Sequence, residues 1–94
     1  MPLQFGWDER KRRSNLRKHG VDFLDVTRMF ENHVAETIDD REDYSEERII
    51  AIGRVGVEVY RVVYAPRDGV IRIISAQKAS RREKEGYFRY ILNG

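Results

Sequence analysis

A chain of 94 residues has room for one domain, and without cysteine it excludes disulfides, a thiolate nucleophile and a cysteine-based zinc site. No apolar run approaches a membrane span and no signal-peptide h-region opens the chain, so a cytoplasmic protein without membrane association is expected. The net charge is only +2, from 18 Lys and Arg against 16 Asp and Glu.

In chain order, Asp8 as N-cap and Gly20 just past the end bracket a first helix in FGWDERKRRSNLRKHG. Lys18 and His19 fall in its last turn, where the macrodipole favours positive charge. Asp22 caps a second helix, in which Phe23, Val26, Met29 and Phe30 recur at helical spacing. From Val34 the period changes: VAETID reads as a strand and DREDYSEE as a charged loop. RIIAIG and VEVYRVVY then form a hairpin about Arg54, Val55 and Gly56. Pro66, Asp68 and Gly69 supply the next turn, and VIRIISA is the last strand. Ser80 to Leu92 closes the chain as a helix with Ala79, Glu83, Tyr87, Tyr90 and Ile91 along one side. The prediction is an α+β fold over residues 1–94 as a single domain. It has a small antiparallel β-sheet packed with two N-terminal helices and one C-terminal helix.

The small net charge hides an asymmetry. Residues 1–21 carry six basic and two acidic side chains, residues 22–47 two and ten, and residues 48–94 ten and four. Two basic blocks around an acidic insert point to a positive face and to nucleic acid as partner class; mutually compensating surface ion pairs are the alternative. There is no G-x-S-x-G, P-loop or H-E-x-x-H motif, and His19 and His33 lie in different elements, so neither a serine triad nor a metal site is expected. The Gly53–Gly56 segment GRVG matches the loop of RNA-binding KH domains, but here it joins strands and reads as a turn.

SRRE is a capping box in which Ser80 and Glu83 satisfy each other's amides. It leaves Arg81 and Arg82 unexplained, because cations in a helix's first turn oppose its dipole unless an anion binds there. Arg61 and Arg72 interrupt apolar strands. They either keep their heads wet over apolar neighbours, pair with Glu58 or Glu36, or clamp a phosphodiester on an open sheet face. His19, within Arg13, Arg17 and Lys18, is either a helix-terminal residue or a general acid/base. The five tyrosines could stack bases, but their spacing places most of them in the core.

Taken together, WDERKRRSNLRKHGVDF resembles the opening of BrnT-type toxins, through Trp7, Asp8, Lys11, Asn15, Lys18, His19, Gly20, Val21 and Phe23. DREDYSEERIIAIG resembles that family's acidic loop and following strand, and IRIISAQKASRREKEGY its closing segment. In that segment the family usually has Arg between Ala and Lys, where this chain has Gln77. The resemblance implies a RelE-like fold, RNA cleavage that arrests translation, and neutralisation by a BrnA-like antitoxin. It also implies operator DNA contact through the antitoxin complex; a homodimer is left open.

RNA carries its own nucleophile, the 2′-OH, so cleavage needs cations on the phosphate and groups that move protons, with no cofactor and no metal. Arg72, Lys78, Arg81 and Arg48 are the candidate catalytic cations, and His19 and Glu83 the candidate proton-transfer groups. Arg61, Arg67, Arg82 and Lys18 are candidate RNA contacts. Two other readings compete: a nucleic-acid-binding module without catalysis, and a basic scaffold that receives an acidic protein.

Overall fold

The computed structural model describes residues 3–93. The elements are β1 (Gln4–Gly6), α1 (Glu9–His19), α2 (Phe23–Val26) running into a 3-10 turn (Thr27–Glu31), β2 (Ala35–Ile38), β3 (Ile49–Val55), β4 (Glu58–Arg67), β5 (Val70–Lys78) and α3 (Arg81–Asn93).

The caps form where the sequence places them. The Asp8 carboxylate accepts from the N–H groups of Arg10 and Lys11 at 2.8 and 3.3 Å. Gly20, at φ 69°, ends α1 with its N–H on the Leu16 carbonyl. Asp22 caps α2 through the Leu24 N–H and also takes the Arg12 guanidinium at 2.8 Å, tying the two helices at their junction. The second helix is shorter in α form than its apolar spacing predicts. Beyond Val26 it tightens to 3-10, where the Thr27 hydroxyl bonds the Leu24 carbonyl and the Asn32 N–H closes on Met29.

The sheet order is β1-β5-β4-β3-β2. Strands β2 to β5 pair antiparallel, but β1 pairs parallel with β5 through Gln4–Val70, Phe5–Ile71 and Gly6–Arg72. The fold is α+β with a mixed sheet, which corrects the expectation of a purely antiparallel one. Three residues are too few to show an alternation, and β1 exists because the β5 edge offers unpaired backbone groups. The first hairpin also differs. β3 extends through Val55, which pairs with Glu58, so Gly56 (φ 61°) and Val57 make the turn. At the second hairpin Asp68 and Gly69 both have positive φ, as a type I′ turn requires.

A β-bulge sets the geometry of everything that follows. Val63 pairs with Ser75 but Tyr64 pairs with Ile73, leaving Ile74 as the extra residue. Side-chain parity along β5 therefore inverts at Ile74. Ile71 and Ile73 share one face with Ala76 and Lys78, while Val70 and Arg72 share the other with Ser75 and Gln77.

The N-terminal helices pack on the first of these faces. Phe23, Val26 and Met29 are fully buried there against Ala51, Val62 and Ile73, each worth roughly 1.5–3 kcal/mol of burial. The rings of Phe5, Phe30 and Tyr64 close one end, with centroids 5.5 and 5.6 Å apart, and the Tyr64 hydroxyl donates to Glu36. A Cβ at Gly53 would sit 3.4 Å from three Met29 side-chain atoms, so this glycine lets the 3-10 turn approach β3. α3 crosses the second face over β3, where Tyr87 is 2% exposed and bonds the His33 carbonyl at 2.7 Å. Among the described residues no helix is long and apolar enough to cross a membrane.

α1 runs along β5 beyond the end of β1. Buried Asn15 donates from Nδ2 to the carbonyls of Val21 (2.9 Å) and Ala76 (2.7 Å) and accepts from the Ala76 N–H at 3.0 Å. Its carboxamide stands in for the strand neighbour that β5 lacks there.

Candidate nucleic-acid interface

The second face of the sheet is left open at the end away from α3, and the register gathers three arginines there. Ala65 pairs with Arg72 on β5. On its other side Arg48 continues the β3 register, its carbonyl accepting the Asp39 N–H at 2.8 Å. Arg67 follows two residues along β4 on the same face. Ala65 is 1% exposed, and the half-buried Arg48 and Arg72 flank it in the strand register. Arg72 makes no ion pair among the described residues.

Arg48 is held by the acidic loop, but not through a carboxylate. Its guanidinium carbon lies 4.0 Å from the centroid of the Tyr44 ring, a cation–π contact. The nearby buried carboxylate, Asp39, is engaged by Arg41 at 2.7 Å through both oxygens. Arg48 Nε is buried without a partner. The side chain lines a crevice with Asp39, Asp40, Glu42, Asp43, Glu46 and Glu47, yet among the described residues it makes no ion pair, so the loop fixes Arg48 in an acidic surround and leaves its guanidinium without a bound carboxylate.

The Arg41 guanidinium lowers the Asp39 carboxyl from 3.8 to about 2, despite the opposing effect of burial. A depressed folded-state value contributes stability above the unfolded value and loses it as pH falls through the folded one. Stability is therefore expected to drop as pH is taken from about 4 to 2, and Asp39→Asn should flatten that part of the curve. Denaturant melts at stepped pH values measure this.

At the α3 end of the same face, Arg61 pairs with Gln77 across the strands and with Glu83 at 3.1 Å. Glu83 uses its other oxygen on the Ser80 N–H at 2.8 Å, and the Ser80 hydroxyl accepts from the Glu83 N–H, completing the capping box. Both carboxylate oxygens of Glu83 are thereby occupied. Arg61 and Arg72 share a face but stand four strand residues apart on the ladder, roughly 13 Å. Arg81 is 94% exposed and pairs with Glu85 at 3.4 Å, and Arg82 is exposed beside it.

Two groups lie elsewhere. Lys78 projects from the opposite face, where it pairs with Glu58 at 3.7 Å, so it is not brought to Arg72. Lys18 and His19 line a crevice of about 240 Å³ between α1 and β5, together with Lys11, Ser14 and Ser75. Ser75 is the next residue after Arg72 on β5 to share its face, and it lines this crevice together with the bulged Ile74. Sequence reasoning did not single out Tyr44 as the support of Arg48, or Ser14 and Ser75. The first depends on a loop conformation and the others on packing between elements, neither of which leaves a periodic trace.

Residues 7–83 match the family described as the ribonuclease toxin, BrnT, of type II toxin–antitoxin systems. Among solved structures, the chain is similar to the Brucella abortus ribonuclease toxin BrnT, with 29% identity and a TM-score of 0.64 over 85% of this chain and 100% of that one. No curated protein matches the chain significantly. Family match and fold agree, and the chain belongs to the BrnT family of ribonuclease toxins of type II toxin–antitoxin systems.

Proposed function

We propose that this ribonuclease is a RelE-like, metal-independent endoribonuclease that acts in the cytoplasm and arrests translation by cutting RNA. The observation that supports this best is the arginine cluster of Arg48, Arg67 and Arg72 around Ala65, none of which makes an ion pair among the described residues. In this reading the 2′-oxygen attacks the adjacent phosphorus, the P–O5′ bond breaks, and a 2′,3′-cyclic phosphate and a 5′-hydroxyl result. Negative charge grows on the non-bridging oxygens, where fixed guanidinium groups lower the barrier. His19 is the group assigned to proton movement, because its imidazole can both accept and donate a proton and it lines the crevice beside β5. Glu83 is assigned to holding Arg61 rather than to moving protons, because both its oxygens already have donors. Arg61, Arg81, Arg82 and Lys78 serve as outer contacts for the RNA chain.

A BrnA-like antitoxin neutralises the enzyme by covering this positive face, and the complex reaches operator DNA through the antitoxin. The test is cleavage of a labelled RNA in excess EDTA. Undiminished cleavage with cyclic-phosphate ends is the expected result, and replacement of the 2′-OH by 2′-O-methyl should stop it. Loss of cleavage in EDTA with recovery on adding a divalent cation would refute the mechanism.

A further inference from the structure

Apart from His19, the groups that line the crevice between α1 and β5 are ones the cleavage step does not use. Lys11, Ser14 and Lys18 fall on one stripe of α1, spaced by three and four residues, and Ser75 faces them from β5. Lys11 and Lys18 are both exposed and make no ion pair among the described residues. The neighbouring acidic groups are already engaged: Glu9 and Asp22 both hold Arg12. The macrodipole accounts for Lys18 in the last turn but not for Lys11, which stands near the positive end of the helix. Among the described residues that line the crevice none is acidic, and the one aromatic ring is the His19 imidazole. Such a site has several donors for an anion and, at most, a single small ring on which a base could stack.

We propose that this crevice is a second phosphate subsite, which grips a phosphodiester of the substrate RNA next to the one cut at the arginine cluster. Lys11 and Lys18 supply the charge, and the hydroxyls of Ser14 and Ser75 supply short donors. The subsite follows the scissile position along β5: Ser75 is three residues from Arg72, at most about 10 Å of strand. The RNA backbone leaves the sheet face at the bulge and turns over the β5 edge into the crevice. The proposal rests on RNA being the substrate, but not on His19 as the proton-transfer group.

Binding is the direct test, because it reads the subsite without requiring turnover. The probe is a single-stranded RNA carrying 2′-O-methyl groups, titrated at several salt concentrations. Each phosphate neutralised on a single strand contributes about 0.7 to the slope of log K against log salt. Lys11→Ala with Lys18→Ala removes the grip on one phosphate and is therefore expected to reduce that slope by about 0.7 and to weaken binding at low salt. Both side chains are exposed and alanine is the better helix former, so the fold is retained, as circular dichroism would verify. Arg10→Ala with Arg28→Ala removes the same charge from exposed sites outside the crevice and is the control. A slope change confined to the Lys11/Lys18 variant supports the subsite, even if the wild-type protein proves to need a metal for cleavage. Equal slopes for the two double variants overturn it, as does a wild-type chain that binds no RNA. Weakened binding of an acidic protein partner with unchanged RNA slope also overturns it, and would leave the crevice to that partner.

Discussion

Replacing Arg48 and Arg72 together by alanine is expected to lower RNA cleavage by roughly 100- to 1000-fold or more, the range for losing one preorganised charge-stabilising donor. The two side chains flank Ala65 from opposite strands, so a phosphate above Ala65 meets both guanidinium groups. Arg48 is already desolvated at Nε and stacked on Tyr44, which means that little ordering remains to be done when the anion arrives. Tyr44→Ala should therefore reproduce part of the loss without removing any charge. Arg72→Lys separates charge from shape, because lysine keeps the cation but not the planar fork, and intermediate activity is expected. Stability should fall modestly, through the lost Arg48–Tyr44 stacking and the lost packing of the two arginine stems. Single-turnover cleavage assays on these variants measure the effect, and a fully active double variant would refute the site.

The largest effect on stability is expected from Asn15→Ala. Three hydrogen bonds disappear, and the N–H and carbonyl of fully buried Ala76 are left without partners. Each orphaned backbone group costs about 1–3 kcal/mol, so a loss of about 3 kcal/mol is expected. For a domain of this size that lowers Tm by very roughly 12–24 °C. Leu16→Ala, one residue along the same helix but 42% exposed, should cost far less. Calorimetric melting compares the two. A loss below 1 kcal/mol for Asn15→Ala would mean that the β5 edge finds its partners in water.

The parts of this fold that were legible in the sequence are those set by neighbours in the chain. Asp8, Gly20 and Asp22 cap where their chemistry requires, and Ser80 and Glu83 close the expected box. The antiparallel strands follow from short turns. What could not be read is set by distant partners. β1 depends on the free edge of β5, and the role of Asn15 depends on Ala76, 61 residues away. The grouping of Arg72 with Lys78 shows the limit most clearly. They are six residues apart, an even number, so simple alternation puts them on one face. The extra residue at Ile74 reverses the parity, and they point to opposite faces. The same shift places Gln77 opposite Arg61, where an arginine would set like charges directly against each other. Glutamine at that position removes a repulsion as well as a cation.

The carboxamide on the β5 edge also bears on how the chain behaves in company. An unpaired strand edge is a template on which a second molecule can grow, and Asn15 occupies that template at Ala76. The edge strands that remain are three residues of β1 and four of β2, too short to recruit another sheet strongly. A variant without the amide would expose a longer edge to its neighbours. It should form concentration-dependent aggregates well below its own melting point, where the parent chain stays dispersed.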